Sequence, residues 1–237
     1  MIKNMFFLIL SFILVSSCAE QKSETPTAKQ ILDHMVKVYA SCKSYQDFGM
    51  VRTLFILPDS NRTVEKPFTT AFVRSGRFRF EYKEKRDNKE YRYLVWANGK
   101  DVRTWWDVTP GIKRLDSLGL ALAGATGVSG GSARRIPDLL ISEPIGAGWD
   151  IRNLRNLKRV EDVKAENADY YRIQGETGIN GQGPVILWID KATFLVRKLD
   201  QQNKFGNFRT EDMTIYEPVV NGEIPDKMLE FDPAKQK

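Results

Sequence analysis

Apolar positions along this chain fall into three regimes, and each predicts a different element. The first is an apolar run from Met5 to Val15, preceded by a single charge, Lys3. As a helix this run reaches about 16 Å, well short of the roughly 30 Å of a bilayer core. It therefore reads as the hydrophobic region of a secretory signal peptide over residues 1–17, not as a membrane span. The second regime is helical. Thr27-Ala-Lys-Gln30 fits a capping box, in which hydroxyl and amide satisfy orphan helix N–H groups reciprocally. Behind it Ile31, Leu32, Met35, Val36, Val38, Tyr39 and Cys42 share one arc at 100° per residue, which predicts an amphipathic helix of about fifteen residues. Between the two, residues 18–26 lack bulky apolar side chains and read as a flexible tether.

From there the pattern turns to period two. Arg77-Phe-Arg-Phe-Glu-Tyr-Lys83 puts Phe78, Phe80 and Tyr82 on one face and charges on the other. Tyr45 to Leu57, Lys66 to Ser75, Tyr91 to Trp96, Val102 to Asp107, Tyr170 to Gly175, Val185 to Asp190 and Phe194 to Gln201 also read as strands. Asn98-Gly99 supplies the positive-φ pair of a type I′ hairpin, and Asp190 to Thr193 reads as another tight turn. Strands in such succession form antiparallel sheet, which must curl or close to hide its edges. One segment departs from this rhythm. Leu115 to Leu140 sets leucines around Gly119, Gly124, Gly127, Gly130 and Gly131, and each glycine costs a helix about 1 kcal/mol. It predicts two short helices, near 115–125 and 133–141, with a mobile joint. Two readings stay open for them, a lid or a plug on the sheet.

Charge and cysteine content narrow the class. Removing residues 1–17 from 237 leaves 220 residues, enough for one domain with a real core over 27–237, and lowers the formal charge from +6 to +5 because only Lys3 is lost. A pI near 9.2 would suggest nucleic acid in a cytosolic chain, but the bases are scattered among acids and read as a solvated surface with weak attraction to anionic headgroups. Nucleic acid is therefore not an expected partner. Val15-Ser-Ser-Cys18 resembles the lipobox of bacterial lipoproteins. That resemblance implies lipidation of Cys18, cleavage before it, and stable membrane anchoring. An ordinary signal peptide with an incidental cysteine is the alternative, although nothing else needs a cysteine there. With Cys18 lipidated, Cys42 has no partner and reads as a small buried thiol. Ala19 stands where an inner-membrane lipoprotein of enterobacterial type carries aspartate, which favours the outer membrane, facing the periplasm.

Catalytic chemistry is not assembled by the sequence. The sole histidine, His34, falls on the flank of the helix and reads as solvated. No Gly-x-Ser-x-Gly elbow or Cys/His metal spacing occurs, and Glu161-Asp162 and Glu211-Asp212 point to opposite faces if on strands. Gly178-Ile-Asn-Gly-Gln-Gly183 lacks the lysine of a phosphate-binding loop. No enzyme, cofactor or metal is expected. The positive signal is aromatic. Phe72, Phe78, Phe80, Tyr82, Tyr91, Tyr93, Trp96, Trp105 and Trp106 crowd four consecutive strands. They read either as core beneath the helix or as the wall of an apolar cavity with a cover.

Four stretches together resemble the bacterial lipoprotein-carrier superfamily, the LolA/LolB-like fold. They are the opening helix running into Lys43-Ser-Tyr-Gln-Asp-Phe-Gly49, then Phe72-Val-Arg-Ser-Gly-Arg-Phe-Arg-Phe80, then Tyr93-Leu-Val-Trp-Ala-Asn-Gly-Lys100 with Thr104-Trp-Trp-Asp107, and the closing Leu229-Glu-Phe-Asp-Pro233. Trp188 to Lys198 is similar to a late hairpin of related envelope proteins. The resemblance implies a mainly β fold with α, a curved antiparallel sheet forming an incomplete β-barrel around the N-terminal helix and a helical lid or plug. It also implies an apolar cavity for acyl chains and a lid-holding role for Arg74, although Ser75 follows where soluble carriers have proline.

The expected function is thus a non-catalytic, membrane-anchored envelope lipoprotein, monomeric, that binds an acyl chain or lipidated partner. Phe78, Phe80, Tyr82, Tyr93 and Trp106 would line the cavity and Leu118 and Leu122 would cover it. The alternative is a structural or scaffold lipoprotein whose barrel is filled by its own side chains and which binds protein on its rim.

Overall fold

The structure, a computed structural model, describes residues 25–141, 150–165, 167–178 and 182–232. The leader, Cys18, tether residues 18–24, three residues of the glycine loop (179–181) and Pro233 lie outside the described residues.

Helix α1 (Ala28–Ser41) begins as its sequence predicts. Thr27 Oγ1 accepts from the Gln30 amide, and Gln30 Oε1 accepts from the Thr27 amide at 2.8 Å. Its apolar arc buries Ile31, Leu32, Met35 and Tyr39. Cys42, at its C-cap, is a buried thiol that donates to Tyr39 O. His34 is exposed and stacks on Phe194 at 3.8 Å between ring centroids.

A meander follows: β1 (Ser44–Ile56), β2 (Asn61–Val73), β3 (Arg77–Arg86), β4 (Lys89–Asn98), β5 (Asp101–Trp106) and β6 (Ile112–Leu115). Three short helices, α2 (Leu118–Thr126), α3 (Ser132–Arg135) and α4 (Pro137–Leu140), precede a second meander. That comprises β7 (Arg155–Lys164), β8 (Asp169–Glu176), β9 (Gln182–Asp190), β10 (Val196–Phe205) and β11 (Phe208–Tyr216), and a short β12 (Val219–Val220) closes it. All pairings are antiparallel, in the order β6-β5-β4-β3-β2-β1-β11-β10-β9-β8-β7, with β12 beside β1. β6 and β7 are the two edges, so the sheet curls without closing. Its concave face holds α1 and the α2–α4 cover, an incomplete barrel around helices as the resemblance implies.

The strands absent from the sequence reading have physical reasons. β11 turns Thr210, Asp212, Thr214 and Tyr216 inward, so no apolar alternation marks it. The register places these against Phe55, Thr53, Val51 and Gly49 of β1. β7 is a charged edge strand with two register breaks, and β6 has four residues. The hairpin assigned to Asn98-Gly99 needs correction. Asn98 stays in β4, paired with Asp101, and the turn is Gly99-Lys100, with positive φ at Gly99 alone. The positive-φ pair occurs instead at Asp87-Asn88, at 49° and 61°, where β3 turns into β4. Both are residues whose short polar side chains tolerate the left-handed region. Leu115 ends β6 and does not start a helix. The second helical stretch is broken in two at Pro137, whose ring cannot extend the preceding turn.

Gly130 sits in the joint between α2 and α3 with φ of 66°. A Cβ there would also lie 2.9 Å from Val51 Cγ1 on β1. Only glycine meets both requirements, and the close approach seats the joint on the sheet.

Candidate functional site

The concave face divides into two halves with different chemistry. Across β2 to β5 the inward positions form rows in register: Phe72, Phe78, Ala97, Val102, then Thr70, Phe80, Val95, Thr104, then Phe68, Tyr82, Tyr93, Trp106. Phe78 and Phe80 have no exposed surface, and Tyr82 is buried. Tyr93 and Trp106 are half-buried at the end of the array. Tyr82 stacks on Tyr93 at 6.1 Å, Tyr93 meets Trp106 edge-on at 6.0 Å, and Phe68 stacks on Phe80 at 6.1 Å. The five rings singled out in the sequence therefore share one face and one neighbourhood. Two other rings of the same crowd do not. Trp96 and Trp105 have the opposite strand parity and lie on the convex face, where Phe231 packs against both at 5.0 and 5.4 Å.

Helix α2 packs over β4 and β5. Leu122 is fully buried, Leu118 half-buried, and Leu120 faces outward. Apart from two leucines, the buried side of the cover's first helix is small: Gly119, Ala121, Ala125 and Thr126. α3 and α4 bury Ala133, Ile136, Leu139 and Leu140 against α1 and the sheet.

Three polar ties hold the cover. Arg74, at the end of β2, donates to three carbonyls: Leu140 O at 2.7 Å, Tyr39 O at 2.9 Å and Cys42 O at 3.1 Å. It thus joins the last residue of α4 to the last turn of α1, where carbonyls lack intrahelical partners and the helix dipole favours a cation. Only a planar, multidentate donor can reach all three. Phe72 supports it with a ring 4.9 Å below the guanidinium. The second tie is Lys66, which donates to Val128 O at 2.7 Å and pairs with Glu84 at 3.8 Å. Burial lowers the Lys66 pKa and Glu84 opposes that shift. The third is the buried Arg135 of α3, hydrogen-bonded to Gln201 Oε1. Lys66 and Arg135 were not singled out in the sequence. Lys66 has the parity of the inward face of β2, but its polarity looks solvated, and Arg135 has no local signal.

The other half of the face, on β1, β10 and β11, is polar and buried. Asp212 accepts from Thr53 at 2.6 Å, Asn203 at 2.7 Å and Thr210 at 3.1 Å. Gln201 donates to Gly183 O at 3.0 Å. Asp47 is fully buried and accepts from the Tyr45 hydroxyl at 2.6 Å. Burial pushes its carboxyl up to about 6, while Tyr45 and the nearby Thr70 hold it down. Among the described residues no group of three or more His, Cys, Asp or Glu could hold a metal ion, and no helix is long and apolar enough to cross a membrane.

No family model and no curated protein matches the chain. Solved structures do. A LolA superfamily protein from Nitrosomonas europaea is 14% identical, with 88% of this chain and 100% of that one covered and a TM-score of 0.33. LprF from Mycobacterium bovis is 12% identical over 84% and 94% of the two chains, with a TM-score of 0.42. An uncharacterized conserved protein from Thermus thermophilus is 11% identical over 86% and 94%, with a TM-score of 0.47. These likenesses concern fold alone; the fold of this chain is an open antiparallel barrel around helices.

Proposed function

We propose that the protein is a non-catalytic lipoprotein of the cell envelope that binds an acyl chain, free or on a lipidated partner, beneath the α2–α4 cover. In this reading residues 1–17 are the leader, Cys18 carries the anchor to the outer membrane on its periplasmic side, residues 18–26 are the tether, and 27–237 bind. The observation that carries it is the pairing of a ring-paved floor with a cover whose first helix, α2, buries mostly small residues and whose end is held through main-chain carbonyls by Arg74. Apolar burial is non-directional, so a chain can replace the cover's own side chains without demanding their geometry. The magnitudes are compatible. Sealing a sixteen-carbon chain yields at most about 13 kcal/mol at roughly 0.8 per methylene. Uncovering Leu122, Ile136, Leu139 and Leu140 costs about 6–12 kcal/mol by the same scale, so entry of a chain offsets displacement of the cover.

The test is native mass spectrometry and organic extraction of the full chain carrying Cys18→Ala, exported to a periplasm. A bound mass of lipid size that solvent releases is the expected result, and Phe80→Glu should abolish its uptake in a still-folded protein. An apo mass together with no uptake of a fluorescent acyl probe would defeat the reading.

A second reading has its own support. A groove of about 820 Å³ opens at one end of the sheet, lined by Ile56, Leu57, Pro58, Pro184 and Phe208 with Lys204 and Arg209. Phe205 is exposed beside it, stacked on Phe208 at 5.2 Å. A scaffold that binds protein on its rim would use this groove and leave the interior filled by its own side chains.

A further inference from the structure

The ladder between β2 and β3 stops short of its strands. It runs from Val73–Arg77 to Phe68–Tyr82 and ends there, although β2 reaches back to Asn61 and β3 on to Arg86. The reason is local. The Arg74 amide donates to Lys43 O on the β1 side. Even-numbered residues of β2 therefore turn their backbone to β1, and odd-numbered ones turn it to β3. Next in the ladder would be Pro67 opposite Lys83, and proline has no N–H to donate. Beyond it two hairpins part company. β1 and β2 stay paired as far as Ile56–Asn61, and β3 and β4 as far as Arg86–Lys89. The charges follow the same division. Glu65 pairs with Arg52 inside the first hairpin, and Lys83 pairs with Glu90 inside the second. Lys66 and Glu84 meet across the gap at 3.8 Å on its concave side, so the fork opens outward.

We infer that this fork receives an extended segment of a partner protein as an added strand, and that the segment carries acidic side chains on its outward face. A cleft of about 830 Å³ lies between the arms, with Thr63, Glu65 and Pro67 on one side and Lys83 and Lys85 on the other. By the alternation above, Thr63 and Glu65 point their N–H and C=O groups into it. Lys83 and Lys85 do the same from the opposite side, because even-numbered residues of β3 face β4. Two strand edges outside any ladder thus face each other, and main-chain groups at this spacing are matched by another main chain. From Asn61 to Pro67 the edge runs about 20 Å at 3.3 Å per residue, room for a guest of about six residues. Charge selects the guest. Glu65, Glu84 and Glu90 each have a cation. Lys85 is exposed and has no ion-pair partner among the described residues. Asp87 belongs to the turn at the tip of the arm, past the edge. Edge lysines deter indiscriminate pairing, and an outward acid on the guest turns Lys85 from a deterrent into a cross-strand partner. Strand addition here does not depend on an acyl ligand, since Lys66 and Glu84 close the concave side.

The test is fluorescence polarisation on the full chain carrying Cys18→Ala, with three labelled peptides of equal length. One alternates Thr with Glu, one alternates Thr with Lys, and the third is the Thr–Glu peptide N-methylated at every second residue. The Thr–Glu peptide should bind and the Thr–Lys peptide should bind about tenfold more weakly. N-methylation removes the donors along one edge and should also weaken binding about tenfold. Lys85→Glu, an exposed change, should reverse the preference between the first two peptides. Pro67→Val restores the missing donor and should zip Glu65 against Lys85. The Lys83 and Lys85 amides would then exchange more slowly, and the Thr–Glu peptide would weaken about tenfold in a protein that keeps its fold. Thr63→Pro removes a fork-facing N–H and no bond to β1, and should weaken the same peptide even where Pro67→Val leaves the fork open. Binding that ignores N-methylation, equal binding of the Glu and Lys peptides, or no binding of any peptide would each overturn strand addition. So would undiminished binding by a Pro67→Val protein whose Lys83 and Lys85 amides have become protected. Dimerisation that Pro67→Val abolishes, without peptide binding, would assign the fork to a second copy of this chain and overturn the partner.

Discussion

The two halves of the concave face are equally buried and differently built. On β2 to β5 the inward residues are Phe72, Phe78, Phe80, Tyr82, Val95, Ala97 and Val102. On β1, β10 and β11 polar Asp47, Gln201, Asn203, Thr210, Thr214 and the half-buried Asp212 share the face with Tyr45, Val51, Leu199 and Tyr216. The first half gains by area, at about 25 cal/mol per Å² removed from water, and has no preferred geometry beyond packing. The second gains little per contact and loses heavily when a partner is missing, so its positions are fixed by hydrogen bonds. The cover lying across both is tied from each side, by Arg74 and Lys66 at β2 and by Arg135 to Gln201 on β10, while over Phe78 and Phe80 it rests on apolar contact alone.

The strongest way to break the comparison is to delete volume from the apolar half. Phe80→Ala should cost about 3–5 kcal/mol, read as a shift in the urea midpoint. Thr214→Val, at an equally buried inward position of the polar half, should cost about 1 kcal/mol or less. Comparable losses would show that the halves are energetically alike. A charge sharpens the contrast next. Asp47 holds its proton more tightly in the folded protein, with a pKa raised from 3.8 to about 6. Its favourable contribution is fully present below about pH 4 and is lost as pH rises through 6. The folded state should therefore lose about 3 kcal/mol over that window. Asp47→Asn should flatten this part of the pH profile of the denaturation midpoint, and an unchanged slope would assign the effect elsewhere.

This split also explains what the sequence displayed and what it hid. Alternation of apolar and polar residues marks a strand only where its inward positions are apolar. β3 and β4, on the ring side, are plain in the sequence, as are the α1 cap and the burial of Cys42 on the helix's apolar stripe. β11, with Thr210, Asp212 and Thr214 inward, has no such mark. Nor do the last residues of β10, where Gln201 and Asn203 face in. The ring set Phe78, Phe80, Tyr82, Tyr93 and Trp106 could be grouped by parity, which also separates Trp96 and Trp105. The buried polar positions could not: Thr70 meets Asp47 only through the β1–β2 pairing, and Tyr216 comes beside them only when β11 pairs with β1. Arg74 was legible through its family-like setting, but its three carbonyl partners depend on where α1 and α4 end.

Arg74→Met keeps much of the side chain's apolar length and removes the donors that join α4 to α1. Hydrogen bonds from a charged donor are worth about 1.5–3 kcal/mol, and this one is partly exposed, so a net loss of about 2 kcal/mol is expected. The more telling readout is local. Hydrogen exchange in residues 118–140 should accelerate at least tenfold while the amides of β3 and β4 keep their protection. Uniform acceleration across the sheet would mean that the cover is part of one cooperative core and does not open by itself.

The smallest effects discriminate most finely, because one substitution should act with different size at two buried tyrosines. Tyr39 Oη accepts the Val196 amide at 3.0 Å, so Tyr39→Phe orphans a buried N–H and should cost about 1–2 kcal/mol. Tyr216 Oη takes no backbone amide, and its side-chain partner is the Thr214 hydroxyl on the same face of β11. Tyr216→Phe therefore orphans no buried N–H and should cost less, about 1 kcal/mol or under. Thermal melts of the two variants settle the order. If Tyr216→Phe destabilises as much as Tyr39→Phe, the Tyr216 hydroxyl holds the polar half together more strongly than one side-chain contact can, and the contrast between backbone and side-chain partners fails.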